Sequence, residues 1–185
     1  MRKIIVSNLV SVDGFICGPN GEFDWQVVND EFFAYAEEML NEMDGLIFGR
    51  KTYEMMASFW PTAEAKKNDP VIANKMNSLQ KIVFSRTLNN AGWENSILIR
   101  DNMKENVLKL KQQPGKDMVI FGSGEIVSAF TQMGVIDEYR FIINPIILGA
   151  GKSQFEGLPE RKKLELTDIK RFNTGVVILY YQPIS

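Results

Sequence analysis

The chain has 185 residues with 21 Lys and Arg against 23 Asp and Glu, a formal net charge of −2, which suits one domain spanning residues 1–185 and lacks the basic excess of nucleic-acid-binding and membrane-surface proteins. The sequence contains no histidine, so Ser-His-Asp and Cys-His catalysis and most zinc sites are excluded, and no metal site is expected. The single cysteine, Cys17, cannot form an internal disulfide, which favours a reducing cytoplasm as the location.

The chain begins with a predicted strand rather than a signal peptide or a membrane span. Residues 3–10, KIIVSNLV, are rich in β-branched side chains, and this apolar run is far shorter than a bilayer requires. The next segment, DGFICGPNGEFDW (13–25), contains three glycines and a proline and predicts a loop. Apolar residues then recur at helical spacing from Phe32 to Met43, and Asn29 or Asp30 would cap this helix.

Short strands alternate with helices through the middle of the chain. Strands are predicted at residues 46–48, 81–87, 96–100 and 118–121. Helices are predicted directly after the first and the last of these strands, and another after Asp101, which would cap it. The polar interval 62–75 predicts a surface loop with room for a short helix.

The alternation of strands and helices ends after Asp137. The segments EYRFIINPIIL, KKLELTDIKRF and GVVILYYQ predict three further strands, and Asn173-Thr174-Gly175 joins the last two as a hairpin. The order therefore favours an α/β fold, with helices on both faces of a mixed sheet and an antiparallel tail.

Three of the predicted strands end on short polar turns of similar character. They are FGRKT (48–52), FSRT (84–87) and FGSGEI (121–126). Ligands of open α/β sheets gather at the carboxyl ends of strands, where glycine turns and helix N-termini bind phosphate. Each turn alone is better explained as a tight turn or as a helix start with solvated charges than as a phosphate site, whereas their occurrence together favours nucleotide binding.

Two separated phosphate-binding turns suit a ligand with two separated phosphate groups. NADP has a pyrophosphate bridge and a ribose 2′-phosphate, and arginine binds such dianions through paired hydrogen bonds. FSRT contains no carboxylate for the ribose hydroxyls of NAD, so NADPH is favoured over NADH. Val127 stands where the G-x-G-x-x-G fingerprint needs its third glycine, so the usual dinucleotide-binding fold is not expected.

Taken in order, the segments IFGRKTYE, KIVFSRTL and VIFGSGEIVSAF resemble the cofactor-binding motifs of dihydrofolate reductases. SVDGFI and GVIDEYRFIINPIILGAGKSQFEG are more similar to the RibD C-terminal branch, the reductase domain of riboflavin biosynthesis, and to its bacterial stand-alone members. The resemblance implies a three-layer, dihydrofolate reductase-like α/β/α fold with a central mixed sheet of about eight strands and an antiparallel C-terminal hairpin. It also implies NADPH as hydride donor, a small-molecule substrate and a homodimer.

The resemblance assigns most residues of the three turns to cofactor binding. The phosphate groups of NADPH would be held by Gly49, Arg50, Lys51 and Thr52, and its 2′-phosphate end by Ser85 and Arg86. The pyrophosphate would be wrapped by Phe121, Gly122, Ser123, Gly124, Glu125 and Ile126. The nicotinamide would lie near Val10, Ser11 and Ile16.

The substrate side matches less closely, and two aspartates are candidates for catalysis. Asp13 lies in a Ser-x-Asp-Gly segment that is close to substrate in the riboflavin branch, but Asp-Gly is also a favoured turn. Asp24 could donate a proton or anchor substrate, or only bond to local backbone. The Asp24-Trp25 order differs from that of dihydrofolate reductases, and Asp30 or Glu31 could stand at the helix start instead.

Two functions of different class follow. The first is an NADPH-dependent reductase of a small heterocyclic or carbonyl substrate, with 5-amino-6-(5-phosphoribosylamino)uracil and dihydrofolate as named candidates. Lys152 offers a cation for the ribose phosphate of the former. The alternative is a nucleotide-binding or ligand-sensing protein that keeps the fold without catalysis. The apolar strands FIINPIIL and VVILYY would supply either a dimer interface or core.

Overall fold

A computed structural model describes residues 1–184 and has a large β-sheet at its centre. The strands in chain order are β1 (Ile4–Ser11), β2 (Phe15–Cys17), β3 (Met43–Gly49), β4 (Gln80–Phe84), β5 (Ser96–Ile99), β6 (Asp117–Ile120), β7 (Glu138–Asn144), β8 (Lys152–Ser153), β9 (Leu164–Arg171) and β10 (Val177–Pro183). The helices are α1 (Asp30–Asn41), α2 (Arg50–Phe59), α3 (Ala63–Asn68), α4 (Pro70–Ser78), α5 (Met103–Gln112) and α6 (Gly124–Met133).

The main sheet has eight strands in the order β5-β4-β3-β6-β1-β7-β10-β9. The six strands from β5 to β7 are parallel, and β10 is antiparallel to both of its neighbours. This confirms the mixed sheet with an antiparallel C-terminal hairpin. Because the parallel strands share one direction, the turns after β1, β3, β4, β6 and β7 all lie along one border of the sheet, which we call the carboxyl edge.

Helices cover both faces of the sheet and complete the expected three layers. The face that packs against α1, α2 and α4, here the α1 face, contributes side chains such as Leu46, Phe48 and Val119. The opposite α6 face packs against α5 and α6 and contributes Ile47 and Ile82. Successive residues of β3 thus enter opposite cores, which is why residues 46–48 are all apolar rather than alternating.

Two parts of the chain differ from their prediction. The polar interval, expected to be a surface loop with room for a short helix, forms two helices, because the Thr62 side chain caps α3 and Pro70 starts α4, whose Ile72 and Met76 are buried on one face. The predicted loop after β1 contains the short strand β2, which pairs with β8 from a distant part of the sequence. No helix within residues 1–184 is long and apolar enough to cross a membrane.

One buried cation lies at the start of β4. Lys81 is 0% exposed, its Nζ donates to the Asn77 carbonyl oxygen at 2.5 Å, and it lies 4.5 Å from the ring centroid of Trp93. Burial lowers the pKa of Lys81 to about 8, because the charged form loses its hydration there. The bond to Asn77 places this charge on the last turn of α4, where the helix dipole favours a cation.

Candidate functional site

The turns after β3 and β6 are joined directly at the carboxyl edge. The Gly49 N–H donates to the Gly122 carbonyl oxygen at 3.1 Å, and the Gly122–Ser123 peptide is cis. Helix α2 starts directly after Gly49, and α6 starts directly after Ser123. Two helix N-termini are therefore held side by side.

Close packing requires the glycines of this pair of turns. A Cβ on Gly49 would lie 2.7 Å from Ser123 Oγ and 2.9 Å from Ile126 Cγ1. Gly122 has φ +124° and faces Thr52, whose Oγ1 would be 3.0 Å from an added Cβ, so both its conformation and its space favour glycine. The tight-turn explanation of these residues is therefore correct.

Gly124 permits a third segment to approach the same turn. A Cβ there would lie 3.1 Å from Ile16 Cδ1 and 3.3 Å from the carbonyl oxygens of Ser153 and Gln154. Strands β2 and β8 thus close over the start of α6, and Ile16, predicted near the nicotinamide, lies beside Gly124. A larger side chain at this position would displace backbone rather than a flexible side chain.

The two joined helix starts have the electrostatic character of an anion site. Neither Gly49 nor Ser123 makes a side-chain capping hydrogen bond, which is also true of the residues before α4 and α5. Helices α1 and α3 are capped by the side chains of Asn29 and Thr62. Uncapped first-turn N–H groups and the positive ends of two helix dipoles favour a negative ligand. We refer to the turns 49–52 and 121–126 together as the paired turns.

The remaining residues of the paired turns differ in exposure. Arg50 forms an exposed ion pair with Glu54 at 3.4 Å, one helical turn away. Lys51 and Glu125 are exposed, Thr52 and Phe121 are half-buried, and Ile126 is buried in the core of the α6 face. Ile126 therefore packs beneath the turn, and the side chains of Arg50, Lys51 and Thr52 are at least partly exposed.

A second basic group lies at the end of β4, the strand next to β3. Ser85 Oγ accepts from the N–H groups of Thr87 at 3.2 Å and Leu88 at 3.0 Å, so its hydroxyl shapes the turn. The Arg86 side chain is 82% exposed and lies 3.7 Å from Asp101. Arg100, which the sequence analysis did not single out, donates from Nη2 to the Asn89 carbonyl oxygen at 3.0 Å. Two guanidinium groups therefore flank this turn.

The end of β1 forms the other side of the carboxyl edge. Val10 and Ser11 are buried, and Ser11 Oγ donates to Asp13 Oδ1 at 2.6 Å and accepts from the Phe15 N–H at 3.0 Å. Because β1 is the neighbour of β6, these residues lie next to the turn that contains Gly122. The structure thus brings the predicted nicotinamide-side residues to the same edge as the predicted phosphate-side residues.

Asp13 is fully engaged in holding a turn. Its carboxylate accepts from Ser11 Oγ and from the N–H groups of Leu148 at 3.1 Å and Gly149 at 2.8 Å. The bond from Ser11, followed by the backbone bonds, holds the pKa of Asp13 below its usual range. Such a carboxylate is ionised at neutral pH, so this geometry favours the turn role over proton donation.

Asp24 lies in the exposed loop before α1. The neighbouring Trp25 donates from Nε1 to the Glu22 carbonyl oxygen at 3.2 Å, whereas within residues 1–184 the Asp24 carboxylate has no hydrogen bond or ion pair. It is free to meet a ligand, and its catalytic role stays a prediction.

Asn144 is a positioning residue that sequence reasoning missed. It is 0% exposed, its Oδ1 accepts from the Val27 N–H at 2.8 Å, and its Nδ2 donates to the Ile142 carbonyl oxygen at 3.2 Å. It therefore ties the loop before α1 to the end of β7. The signal available in the sequence was a polar residue at the end of an apolar strand, directly before a proline. Glu31 adds a second tie, since its Oε2 accepts from the Asn173 N–H at 2.9 Å.

Apolar side chains on the α1 face complete the surroundings of the paired turns. Leu9, Phe32, Phe33, Met56, Trp60 and Phe121 are partly exposed and pack against the buried core of that face. Leu9, Phe32, Phe33 and Phe121 come from β1, the start of α1 and the turn after β6, near the carboxyl edge, whereas Trp60 follows the last residue of α2, at the far end of that helix from the paired turns. Two open cavities lie elsewhere, one of about 410 Å³ beside α6 and residues 155–164 and one of about 560 Å³ between α2, α4 and residues 88–94.

Comparison with known proteins gives a consistent family and fold. The family model described as RibD C-terminal domain matches residues 2–178. The chain is 35% identical over 180 residues to the uncharacterized protein YyaP of Bacillus subtilis (strain 168), covering 97% of this chain and 94% of that protein.

Two solved structures illustrate the fold. A putative riboflavin biosynthesis protein from Shewanella sp. PV-4 superposes with a TM-score of 0.76 at 22% identity, over 100% of both chains. Dihydrofolate reductase from Enterococcus faecalis, complexed with NADP(H), superposes with a TM-score of 0.65 at 14% identity, over 99% of this chain and 97% of that one. The expected dihydrofolate reductase-like fold is thereby confirmed.

Proposed function

The chain belongs to the family of RibD C-terminal domains, and from that premise we propose that it is an NADPH-dependent reductase acting on a small heterocyclic or carbonyl substrate. The observation that carries the proposal is the hydrogen bond from Gly49 to Gly122, which sets two uncapped helix N-termini beside each other. The adjacent Arg86 and Arg100 supply a second anion-binding group one strand away. A dinucleotide with a diphosphate and a further phosphate matches this arrangement.

The residues present fit such a cofactor. The glycines at 49, 122 and 124 let the surrounding segments approach closely, and a diphosphate would lie at the two helix starts with Arg50, Lys51 and Thr52 around it. Ser85 and Arg86 would hold the 2′-phosphate. Val10, Ser11 and Ile16 would border the nicotinamide. When bound, NADPH would supply the hydride.

The other tasks fall to the chain's own residues. The apolar side chains of Leu9, Phe32, Phe33 and Phe121 would orient a flat acceptor and limit water. Asn144 would hold the loop that carries Asp24 beside these side chains. Because the Asp13 carboxylate is engaged and its pKa is lowered, the proton for the reduced acceptor would come from Asp24 or from water.

Within this class, the candidate substrates are 5-amino-6-(5-phosphoribosylamino)uracil and dihydrofolate, which are the substrates named for reductases of the same fold. A ribosyl phosphate needs a cation near the cleft, and Lys152 on β8 is exposed for that role. Because the Asp13 carboxylate is occupied by hydrogen bonds that hold a turn, it is not available as a proton donor at the carboxyl edge. This favours the second function, a nucleotide-binding protein without catalysis.

The test is titration calorimetry with NADPH and with NADH at fixed salt, followed by absorbance assays of NADPH consumption with each candidate substrate. Micromolar NADPH binding with substrate-dependent consumption supports the reductase. Tight NADPH binding without consumption of cofactor by any acceptor supports the non-catalytic alternative. Failure to bind either cofactor removes both proposals, because both depend on the paired turns.

A further inference from the structure

The loops at the ends of β1 and β7 and the hairpin before β10 contain no positively charged residue. They are residues 12–31, 145–151 and 172–176, and we call them together the acidic border. The chain has 21 lysines and arginines, and none of them lies in these segments. The carboxylates of the border are Asp13, Glu22, Asp24, Asp30 and Glu31.

Hydrogen bonds join the three segments into one rim at the carboxyl edge. The Val12 N–H donates to the Ile146 carbonyl oxygen at 2.8 Å. Asn144 and Glu31 tie the loop before α1 to the end of β7 and to the hairpin. The rim adjoins the apolar side chains that would orient the acceptor, since Leu9 lies on the same strand end as Val12 and α1 continues directly from Glu31.

The carboxylates of the acidic border are not neutralised by cations. In the part of the chain that the structure describes, none of them forms an ion pair. Hydrogen bonds, from Ser11 to Asp13 and from the backbone N–H of Glu22 to its own carboxylate, hold the pKa of both acids below its usual range. The border therefore carries negative charge at neutral pH and creates a negative potential around this part of the edge.

The cations closest to the border in sequence are directed to other groups. Lys170 lies 3.6 Å from Glu38 on α1. Arg171 is the register partner of Val177 and points to the α6 face, as the alternation along β10 requires. Lys152 lies on β8, which continues into the segment packed on the start of α6. A ligand phosphate inside the border would therefore have no dedicated cation.

Exposed apolar side chains lie between the carboxylates of the border. Val12 and Ile147 are 59% and 72% exposed, and Phe23 and Val28 are also exposed. Ligand sites are lined mainly by apolar side chains with a few polar groups among them, and large apolar residues gathered at one exposed place indicate an apolar ligand group. The border thus combines an apolar surface with a charge that disfavours anions.

Ser7 supplies an uncommitted polar group on the floor of the same region. It points to the α1 face of β1, as Leu9 does, and it is 2% exposed. Its Oγ has no hydrogen-bond partner among residues 1–184. The charge of Arg140, its register partner on β7, is neutralised by Glu138 at 2.6 Å. A buried hydroxyl without a partner suits an uncharged ring group that can exchange a hydrogen bond with it.

We propose, on the basis of the reductase activity proposed above, that the substrate is a heterocycle with an apolar substituent and no phosphate or carboxylate group. An anionic substituent would lose hydration beside the acidic border without gaining an ion pair, whereas an uncharged ring avoids that cost. The carboxyl edge is then divided by charge. The paired turns and Arg86 attract the phosphates of the cofactor, and the border rejects anionic substrates. Of the two named candidates, the ring is retained and the charged tail is excluded.

The test is titration calorimetry of two matched ligand pairs, with NADP⁺ in excess to occupy the paired turns and prevent turnover. One pair is 5-amino-6-(5-phosphoribosylamino)uracil and its unphosphorylated form, and the other is dihydrofolate and 6-methyldihydropterin. We expect the uncharged member of each pair to bind at least about tenfold more tightly. Added salt should reduce this ratio, because it screens the repulsion of the anionic member.

Two variants place a cation in the border and one serves as a matched control. Val12→Lys and Ile147→Lys alter exposed residues of the border, and Ile97→Lys alters a residue that is 37% exposed on β5, at the other side of the sheet. The two border variants should bind the phosphorylated ligand at least about fivefold more tightly than wild type, and the control should bind it as wild type does. Circular dichroism would verify that all three are folded.

Two results would overturn the proposal. One is an anionic member that binds wild type as tightly as its uncharged partner at low salt, and Lys152→Ala would then show whether Lys152 binds the phosphate. The other is failure of both uncharged rings to bind at millimolar concentration. Titration with NADP⁺ alone reports separately on the reductase. A protein that prefers the uncharged rings but does not bind NADP⁺ would keep the uncharged-ligand site and lose the proposed function.

Discussion

Replacing Arg86 with alanine should remove most of the preference for NADPH over NADH. The Arg86 side chain is 82% exposed, and its ion pair with Asp101 spans 3.7 Å. An exposed pair of this kind contributes at most about 1 kcal/mol to stability. The substitution should therefore leave the free energy of unfolding almost unchanged, and any loss of binding would report on the ligand alone.

The size of the effect follows from the bonds that a guanidinium makes to a phosphate. Charge-assisted hydrogen bonds contribute about 1.5–3 kcal/mol, and about 1.4 kcal/mol changes Kd tenfold. NADPH affinity should fall about 10- to 100-fold, while NADH affinity, which involves no 2′-phosphate, should change less than about twofold. Arg100 remains tied to Asn89 and retains part of the positive field, so the lower half of this range is expected.

The assay is titration calorimetry with both cofactors at one ionic strength, because salt screens exposed charges. Arg161→Ala is the matched control, since Arg161 is an exposed arginine near the start of β9, at the end of the sheet opposite to the carboxyl edge. An equal loss for both cofactors would refute the assignment of Arg86 to the 2′-phosphate. So would an unchanged NADPH affinity in a protein that binds the cofactor.

Three further changes test other parts of the structure. Gly49→Ala should destabilise the fold by about 1–3 kcal/mol through overpacking against Ser123, measured by urea unfolding; an unchanged midpoint would contradict the close contact. Asn144→Ala should cost about 1–3 kcal/mol by leaving the Val27 N–H without its acceptor and should speed proteolysis within residues 18–29; cleavage at the wild-type rate would mean that the loop does not depend on this tie. Lys81 has a pKa of about 8 in the folded protein against 10.5 in the unfolded chain. Between these two pH values the unfolded chain binds more protons, so the free energy of unfolding should rise with pH, by up to about 3 kcal/mol from this group. Unfolding at several pH values should show a smaller rise for Lys81→Met, and parallel curves for the two proteins would refute the assignment.

Features set by local sequence were predicted correctly. The strand ends at Gly49 and Gly122 and the hairpin at Asn173-Thr174-Gly175 depend on nearby residues, whose turn chemistry is visible without a structure. The same is true of the capping of α1 by Asn29. The order of the apolar segments was sufficient to predict the three layers of the fold, because parallel strands linked by helices have few permitted arrangements.

Features set by long-range pairing were not predicted. The strand β2 is only three residues long and depends on β8, which lies more than a hundred residues away. The engagement of Asp13 depends on N–H groups of Leu148 and Gly149, so the sequence left its turn and substrate roles equally open. Arg100 follows an ordinary strand and Asn144 is the last residue of another, and only their tertiary partners distinguish them from surface and core polar residues.

The hydrogen bond between Gly49 and Gly122 has a consequence for the thermodynamics of ligand binding. Loops that become ordered around a ligand lose conformational entropy at that moment, which weakens affinity. Here the two turns are already joined by a hydrogen bond, so their conformational entropy is lost when the chain folds and not when the ligand binds. A diphosphate should therefore bind with little backbone movement, and a crystal soaked with the ligand should survive with the same backbone in residues 49–52 and 121–126.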